Sequence, residues 1–221
     1  MSRAIYLAMA ALILPAPALA QGGGDFALGI GGGTSGASLE GQYRLNDVIH
    51  LRASANTLSF SADTDVDDIS YEGDLDFSGT GGFLDLHPFS NSFFLSGGAY
   101  FGTKEVGLSA TPTAPVTVGD TTFTPEQVGS LVGDASFEDT APFIGLGYDN
   151  TFTGDGHWGF RVMAGAALFG SADVSLASIG GTLSDDATLQ EEIAKEEARI
   201  EDDVEDYQVY PIVSIGFNYR F

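Results

Sequence analysis

His50, His87 and His157, with 31 acidic and eight basic side chains, are the groups in this 221-residue chain able to transfer protons, bind ions or form ion pairs. Cysteine is absent, which removes disulfides, thiolate metal sites and a cysteine nucleophile. The histidines lack metal-type spacing, and neither GxSxG nor a phosphate loop is present. The glycine run GIGGG at 29–33 precedes no helix, so close strand packing explains it better than phosphate binding. Asp85 and His87 alternate and would share one face of a strand, where such a pair is more often a satisfied internal contact than a catalyst. DTDVDD at 63–68 spaces aspartates loosely like a calcium loop but lacks its glycine and final glutamate. Asp63, Asp65 and Asp67 are therefore weak Ca²⁺ or Mg²⁺ candidates in a solvated loop, and no cofactor is implied.

The charges are more informative than the histidines. A formal charge of −23 repels a phosphate backbone and excludes a nucleic-acid partner. Such acidity would suit a disordered chain, but a mean hydropathy of +0.10 does not. The basic residues Arg44, Arg52, Lys104, Arg161 and Arg220 all fall on the polar face of alternating segments. Glu40, Glu72, Asp74, Asp76 and Asp173 are read onto that same face, joined by Asp85 if the alternation changes phase before it. These residues form a candidate network of ion pairs.

The elements that would position them are strands. Residues 1–20 read as a Sec-type signal peptide: Arg3, an apolar run over 4–14, then Ala18-Leu19-Ala20 before Gln21. The run is too short to span about 30 Å of hydrocarbon as a helix, which needs about 20 residues. Residues 21–221 then form one domain. Apolar and polar residues alternate over 25–34, 37–45, 48–62, 69–89, 93–104, 140–152, 157–176 and 209–221, which predicts eight strands. Leu58 and Phe60 continue the apolar face only if a bulge lies near Asn56, and Leu84 follows Phe77 only if the glycines at 79–82 shift the phase. Short turns near 34–36, 46–47, 90–91 and 153–156 punctuate longer connections at 63–68, 105–139 and 177–206. Leu189, Ile193, Ile200 and Val204 predict an amphipathic helix over 186–206, and Thr124-Pro125-Glu126 reads as a helix start.

The C-terminal strand carries a resemblance. Ile215, Phe217, Tyr219 and Phe221 alternate to a terminal phenylalanine and resemble the sorting signal of bacterial outer-membrane β-barrel proteins. The chain's size and eight strands resemble the small OmpA-, OmpW- and PagP-like group. The resemblance implies insertion by the barrel-assembly machinery, contact with outer-membrane lipids and lipopolysaccharide, and a Gram-negative outer membrane. The expected fold is all-β: an eight-stranded antiparallel up-and-down transmembrane β-barrel with a short amphipathic helix in its last extracellular loop. Strand amphipathicity would turn apolar side chains to lipid, where Arg or Lys costs about 2–4 kcal/mol at the midplane, and enclose the charges. Eight strands leave an interior just wide enough for side chains. The expected protein is thus a monomer with an ion-paired lumen and no wide pore, serving a structural role or binding and passing a small ligand. Two alternatives are a lipid-modifying enzyme and a soluble periplasmic or secreted β-protein. The enzyme is disfavoured because all three histidines lie toward the turn end, away from the outer leaflet. A soluble barrel would bury its apolar face instead.

Overall fold

The computed structural model of the protein describes residues 24–66, 69–204 and 208–221. The signal-peptide segment and Asp67 lie outside the described residues, as does the side chain of Asp65. In chain order the strands are β1 (Phe26–Gly33), β2 (Gly36–Arg44), β3 (Ile49–Val66), β4 (Ile69–Leu86), β5 (Phe93–Pro112), β6 (Val116–Val118) and β7 (Thr121–Phe123). Helix α1 (Pro125–Val128) leads into β8 (Gly129–Phe137), β9 (Thr140–Asp149), β10 (Trp158–Leu168) and β11 (Ala172–Gly180). Helix α2 (Ala187–Val204) precedes the last strand, β12 (Val209–Arg220).

Eight strands close a ring in the order β1-β2-β3-β4-β5-β9-β10-β12, every pairing antiparallel. Closure is made by β1 on β12, from Ala27 opposite Arg220 to Gly33 opposite Ser214. Strand β5 has two partners on one edge. Phe93–Phe101 pairs with β9, and Glu105–Ala110 pairs with β8. The upper halves of β3, β4 and β5 therefore rise out of the ring and continue through β8 to β11 as a five-stranded wing. The chain forks at Gly102, whose φ of 129° is one a side chain rarely adopts, and a Cβ there would strike the Ser78 carbonyl. Its N–H donates to the Asp139 carbonyl across the fork.

Two phase assignments made from the sequence need correction. No bulge interrupts β3 and β4: their register runs unbroken from Ile49 opposite Leu86 to Val66 opposite Ile69. Leu58 and Phe77 therefore point to the inner side, where Leu58 packs on a buried cluster containing Phe77 and Phe83. The amphipathic pattern inverts without any change in the backbone because the surroundings change. Within the ring the outer face is apolar; above it the outer face is polar and the inner face is apolar.

The stretch 157–176 is likewise not one strand. Gly170, at φ 75°, ends the run begun by β10, and residues from Ala172 onward pair with β8 in the wing. The long connections also hold more order than expected. Residues 63–66 continue β3 instead of forming a loop, and 105–139 contains three further strands and α1. The Thr124 N–H donates to Gln127 Oε1 at 2.8 Å, which caps α1 at its Thr-Pro start.

Helix α2 closes the wing from its side. Leu189 and Ile193 pack with Val118, Phe123 and Val128 in a second buried cluster. Glu197 and Glu201 accept the backbone N–H groups of Leu176 (2.7 Å) and Val174 (3.2 Å), which covers the free edge of β11. Glu192 accepts from Lys195 and from the Asp120 N–H. The Lys195 hydrogen bond, then that N–H, hold the Glu192 carboxyl below the usual glutamate range.

Candidate functional site: the filled barrel interior

Alternate residues of every ring strand point inward. Many are glycines because the space between facing strands is taken by large rings. A Cβ on Gly81 would come within 2.5 Å of the Phe83 ring, and one on Gly145 within 2.5 Å of the Phe143 ring. These glycines let aromatic side chains lie flat across the lumen.

The interior is layered. At the turn end, the imidazoles of His50 and His87 lie 4.1 Å apart between ring centroids, with Phe152 at 5.0 Å from His50. His87 Nδ1 is 2.8 Å from the Asn91 carbonyl. Asp149 accepts from Gln42 (3.0 Å) and from the Thr151 N–H (2.8 Å), and Asn218 donates to Thr151 Oγ1. One layer higher are two buried ion pairs. Arg52 donates through Nε to Asp85 at 2.8 Å and through Nη2 to Asp85 and Ser96. Ser96 donates to the same carboxylate at 2.5 Å. The Arg52 guanidinium also lies 4.0 Å from the centroid of Phe83. Arg161 pairs with Glu40 across the interior, from β10 to β2. Both cations are almost wholly enclosed, and their desolvation is offset only by these partners.

Above the ion pairs sits an aromatic plug of Phe83, Tyr100, Phe143, Phe77 and Phe169, with Met163 and Ile212, while Phe94 of the same cluster lies lower, 5.7 Å from the His87 ring. Tyr100 meets Phe83 edge-on at 4.9 Å, and Phe169 stacks on Tyr210 at 4.8 Å. At the top, Lys104 is buried and forms no ion pair among the described residues. It donates to the Gly102 carbonyl (2.9 Å) and the Glu138 carbonyl (2.5 Å) and lies 5.7 Å from the Phe169 ring. A recess beside it, lined by Leu75, Phe77, Val106 and Tyr210, holds about 20 Å³, enough for a water-sized guest.

The structure brings together some of the residues singled out by sequence and separates others. Glu40, Arg52, Lys104 and Arg161 lie in the lumen. Arg44 and Arg220 sit at the turn-end rim: Arg44 pairs with Asp25 at 2.7 Å, and Arg220 donates to the Gly156 carbonyl at 2.9 Å. Glu72, Asp74 and Asp76 are not in the lumen. The unbroken register turns them to the outer face of the wing, where Asp74 accepts from Ser61. Asp173 is exposed on β11, outside the ring. Asp63 faces Glu72 across β3 and β4, and the described residues contain no group of three or more side chains suited to a metal. Asp85 pairs with Arg52 and Ser96, so it is an ion-pair partner and not the carboxylate of a His87 dyad. Phe152 closes the lumen floor. Gln42, Ser96, Asp149 and Tyr100 complete the interior; their inward parity was their only signal.

Outside the ring, Leu28, Ile30, Leu39, Leu51, Leu84, Leu95, Ile144, Leu146, Val162, Val213 and Ile215 are exposed and form a continuous apolar belt. Trp158, Tyr219 and Phe221 cluster at its turn-end margin, with Trp158 5.1 Å from Tyr219 and Tyr219 5.2 Å from Phe221. Ile215, Phe217 and Tyr219 lie on the outward face of β12 and Phe221 follows its last residue; Ile215, Phe217 and Phe221 are at least half exposed.

A closed eight-stranded ring with a filled interior and an apolar exterior defines the structural class. The same fold occurs in two solved structures from Acinetobacter baumannii. CarO2 superposes with a TM-score of 0.64 at 23% identity, covering 89% of this chain and 98% of CarO2. CarO superposes with a TM-score of 0.60 at 22% identity, covering 90% of this chain and 98% of CarO. No family model and no curated protein matches the sequence.

Proposed function

We propose that the protein is an outer-membrane β-barrel whose lumen is sealed by ion pairs and aromatic rings, with a structural or small-ligand role and no wide pore. The observation that carries this reading is the pairing of an exposed apolar belt with enclosed charges. Ile144 is 73% exposed while Arg161 is 2% exposed on the neighbouring strand. In water this arrangement would leave an apolar patch far beyond the few hundred Å² that soluble proteins tolerate. In a bilayer the closed ring pairs its strands without a free edge, the apolar belt meets hydrocarbon, and the lumen charges stay out of it. The fold shared with CarO2 and CarO supports the same class.

On this reading, residues 1–20 are a cleaved export signal, and the strand ending at Phe221 engages the barrel-assembly machinery. Lipopolysaccharide and phospholipid surround the monomer. The turns at 46–47, 90–91 and 153–156 lie in the periplasm, and the turn at 34–36 and the wing lie outside the cell. Any solute enters by way of the wing's apolar inner face. Two measurements test the reading. Unboiled protein should migrate differently from boiled protein on SDS gels, and planar bilayers should show no large stable conductance. Identical migration would remove the barrel, and a steady large conductance would remove the sealed lumen.

A further inference from the structure

The two edges of the wing are unlike. At β11, carboxylates of α2 already accept edge N–H groups. At the other edge, β2 stops pairing at Ala37 opposite Thr57, while β3 runs on to Val66. From Leu58 to Val66, β3 is paired only with β4 among the described residues. This leaves nine residues of unoccupied strand edge above the ring, long enough to template another strand.

The faces beside that edge differ in chemistry. On the outer face, Asp63, Glu72, Asp74 and Asp76 stand in neighbouring cross-strand pairs: Asp63 opposite Glu72, Ser61 opposite Asp74, and Ser59 opposite Asp76. Among the described residues, none of these four acids is in an ion pair with a base. On the inner face Phe60 is 60% exposed, beside Leu75, with Val106 and Leu108 also exposed on β5. A strand added here would present alternate residues to carboxylates and to an apolar surface.

We infer that Leu58–Val66 is a docking edge for an extended polypeptide segment in which Lys or Arg alternates with Val, Ile or aromatic residues. Backbone hydrogen bonds to β3 hold the segment, its basic side chains lie beside Asp63 and extend across β3 toward Glu72, Asp74 and Asp76 on β4, and its apolar side chains cover Phe60. A second copy of this chain does not fit, because its own edge brings a like-charged face. The placement of this edge outside the cell rests on the barrel reading above.

The test uses the full mature chain in a neutral maltoside detergent and a fluorescent nine-residue peptide of alternating Lys and Val. Three controls are a block peptide of the same composition, an alternating Glu/Val peptide, and the Lys/Val peptide N-methylated at every second residue. The alternating Lys/Val peptide should bind roughly tenfold more tightly than the block peptide, and N-methylation should remove most of that advantage by deleting donors on one edge. The quadruple variant Asp63→Asn, Glu72→Gln, Asp74→Asn, Asp76→Asn should weaken binding by roughly tenfold, and Phe60→Ala by several-fold, with boiled-versus-unboiled migration unchanged. Equal binding of block, alternating and N-methylated peptides would reduce the effect to bulk charge and overturn the proposal. Tight binding of the Glu/Val peptide would also overturn it. A heat-dependent gel shift without peptide binding defeats the docking edge alone. Binding without the gel shift keeps the edge and defeats the membrane reading.

Discussion

Removing the carboxylate of Asp85 isolates one of the two buried ion pairs in the lumen. Asp85 accepts from Arg52 Nε at 2.8 Å, Arg52 Nη2 at 3.2 Å and Ser96 Oγ at 2.5 Å, and both residues of the pair are buried. In Asp85→Ala the guanidinium keeps the Ser96 hydroxyl and the Phe83 ring face and loses its counter-ion. Deleting one member of a buried pair costs about 3–5 kcal/mol. The Phe83 face and the nearby Glu40 carboxylate return only part of that, so a loss of about 3 kcal/mol is expected. Asp85→Asn keeps an acceptor of the same size and should lose about 1.5–3 kcal/mol. The double variant Arg52→Met, Asp85→Leu removes both charges and should recover most of the single-variant loss. Urea unfolding in lipid vesicles, followed by tryptophan emission from Trp158 and by the gel-migration shift, measures all three. If Asp85→Ala lost less than about 1 kcal/mol, or if the double variant were no better than the single, the paired-lumen account would be wrong.

The inner glycines give a steric test: Gly81→Ala should cost about 1–3 kcal/mol because its Cβ would lie 2.5 Å from the Phe83 ring, while Gly82→Ala, with nothing within 4 Å, should be near neutral. Ile144→Arg puts a charge in the belt and should reduce vesicle stability by about 2–4 kcal/mol, whereas Ser175→Arg on the exposed wing should not. The Glu192 contact should depend on pH. Its carboxyl has a folded pKa below the usual range, so it stabilises the α2 contact above that range and loses this contribution as pH falls through the folded value. The Glu192 carboxyl-carbon resonance should therefore titrate below the usual glutamate range in the native chain and move up toward it in Lys195→Met.

The ring was legible because each ring strand carries exposed apolar side chains on one side and enclosed side chains on the other. Val213, Ile215 and Phe217 against Ser214, Gly216 and Asn218 record that contrast directly. Beyond the belt the outer face turns polar and the inner face apolar. The same alternation rule then placed Leu58, Phe77, Asp74 and Asp76 on the wrong sides. Asp173 was misplaced for a different reason: Gly170 breaks the chain direction within an apolar run that continues on both sides. The ion-pair partners were not readable either. Arg161 finds Glu40 across the ring, 121 positions away, and Arg52 finds Asp85 through the β3–β4 register. Such pairings depend on how strands stagger, which composition along one strand does not encode.

The fork at Gly102 has an architectural consequence. Because β5 passes from β9 to β8 within a few residues, everything between Pro112 and Asp139 hangs from one side of the junction, pinned there by the Lys104 ammonium on the Gly102 and Glu138 carbonyls. Residues can be gained or lost in that appendage without altering the stagger or circumference of the cylinder below. The appendage is thus free to diversify in length and sequence, while the staves of the cask keep their dimensions.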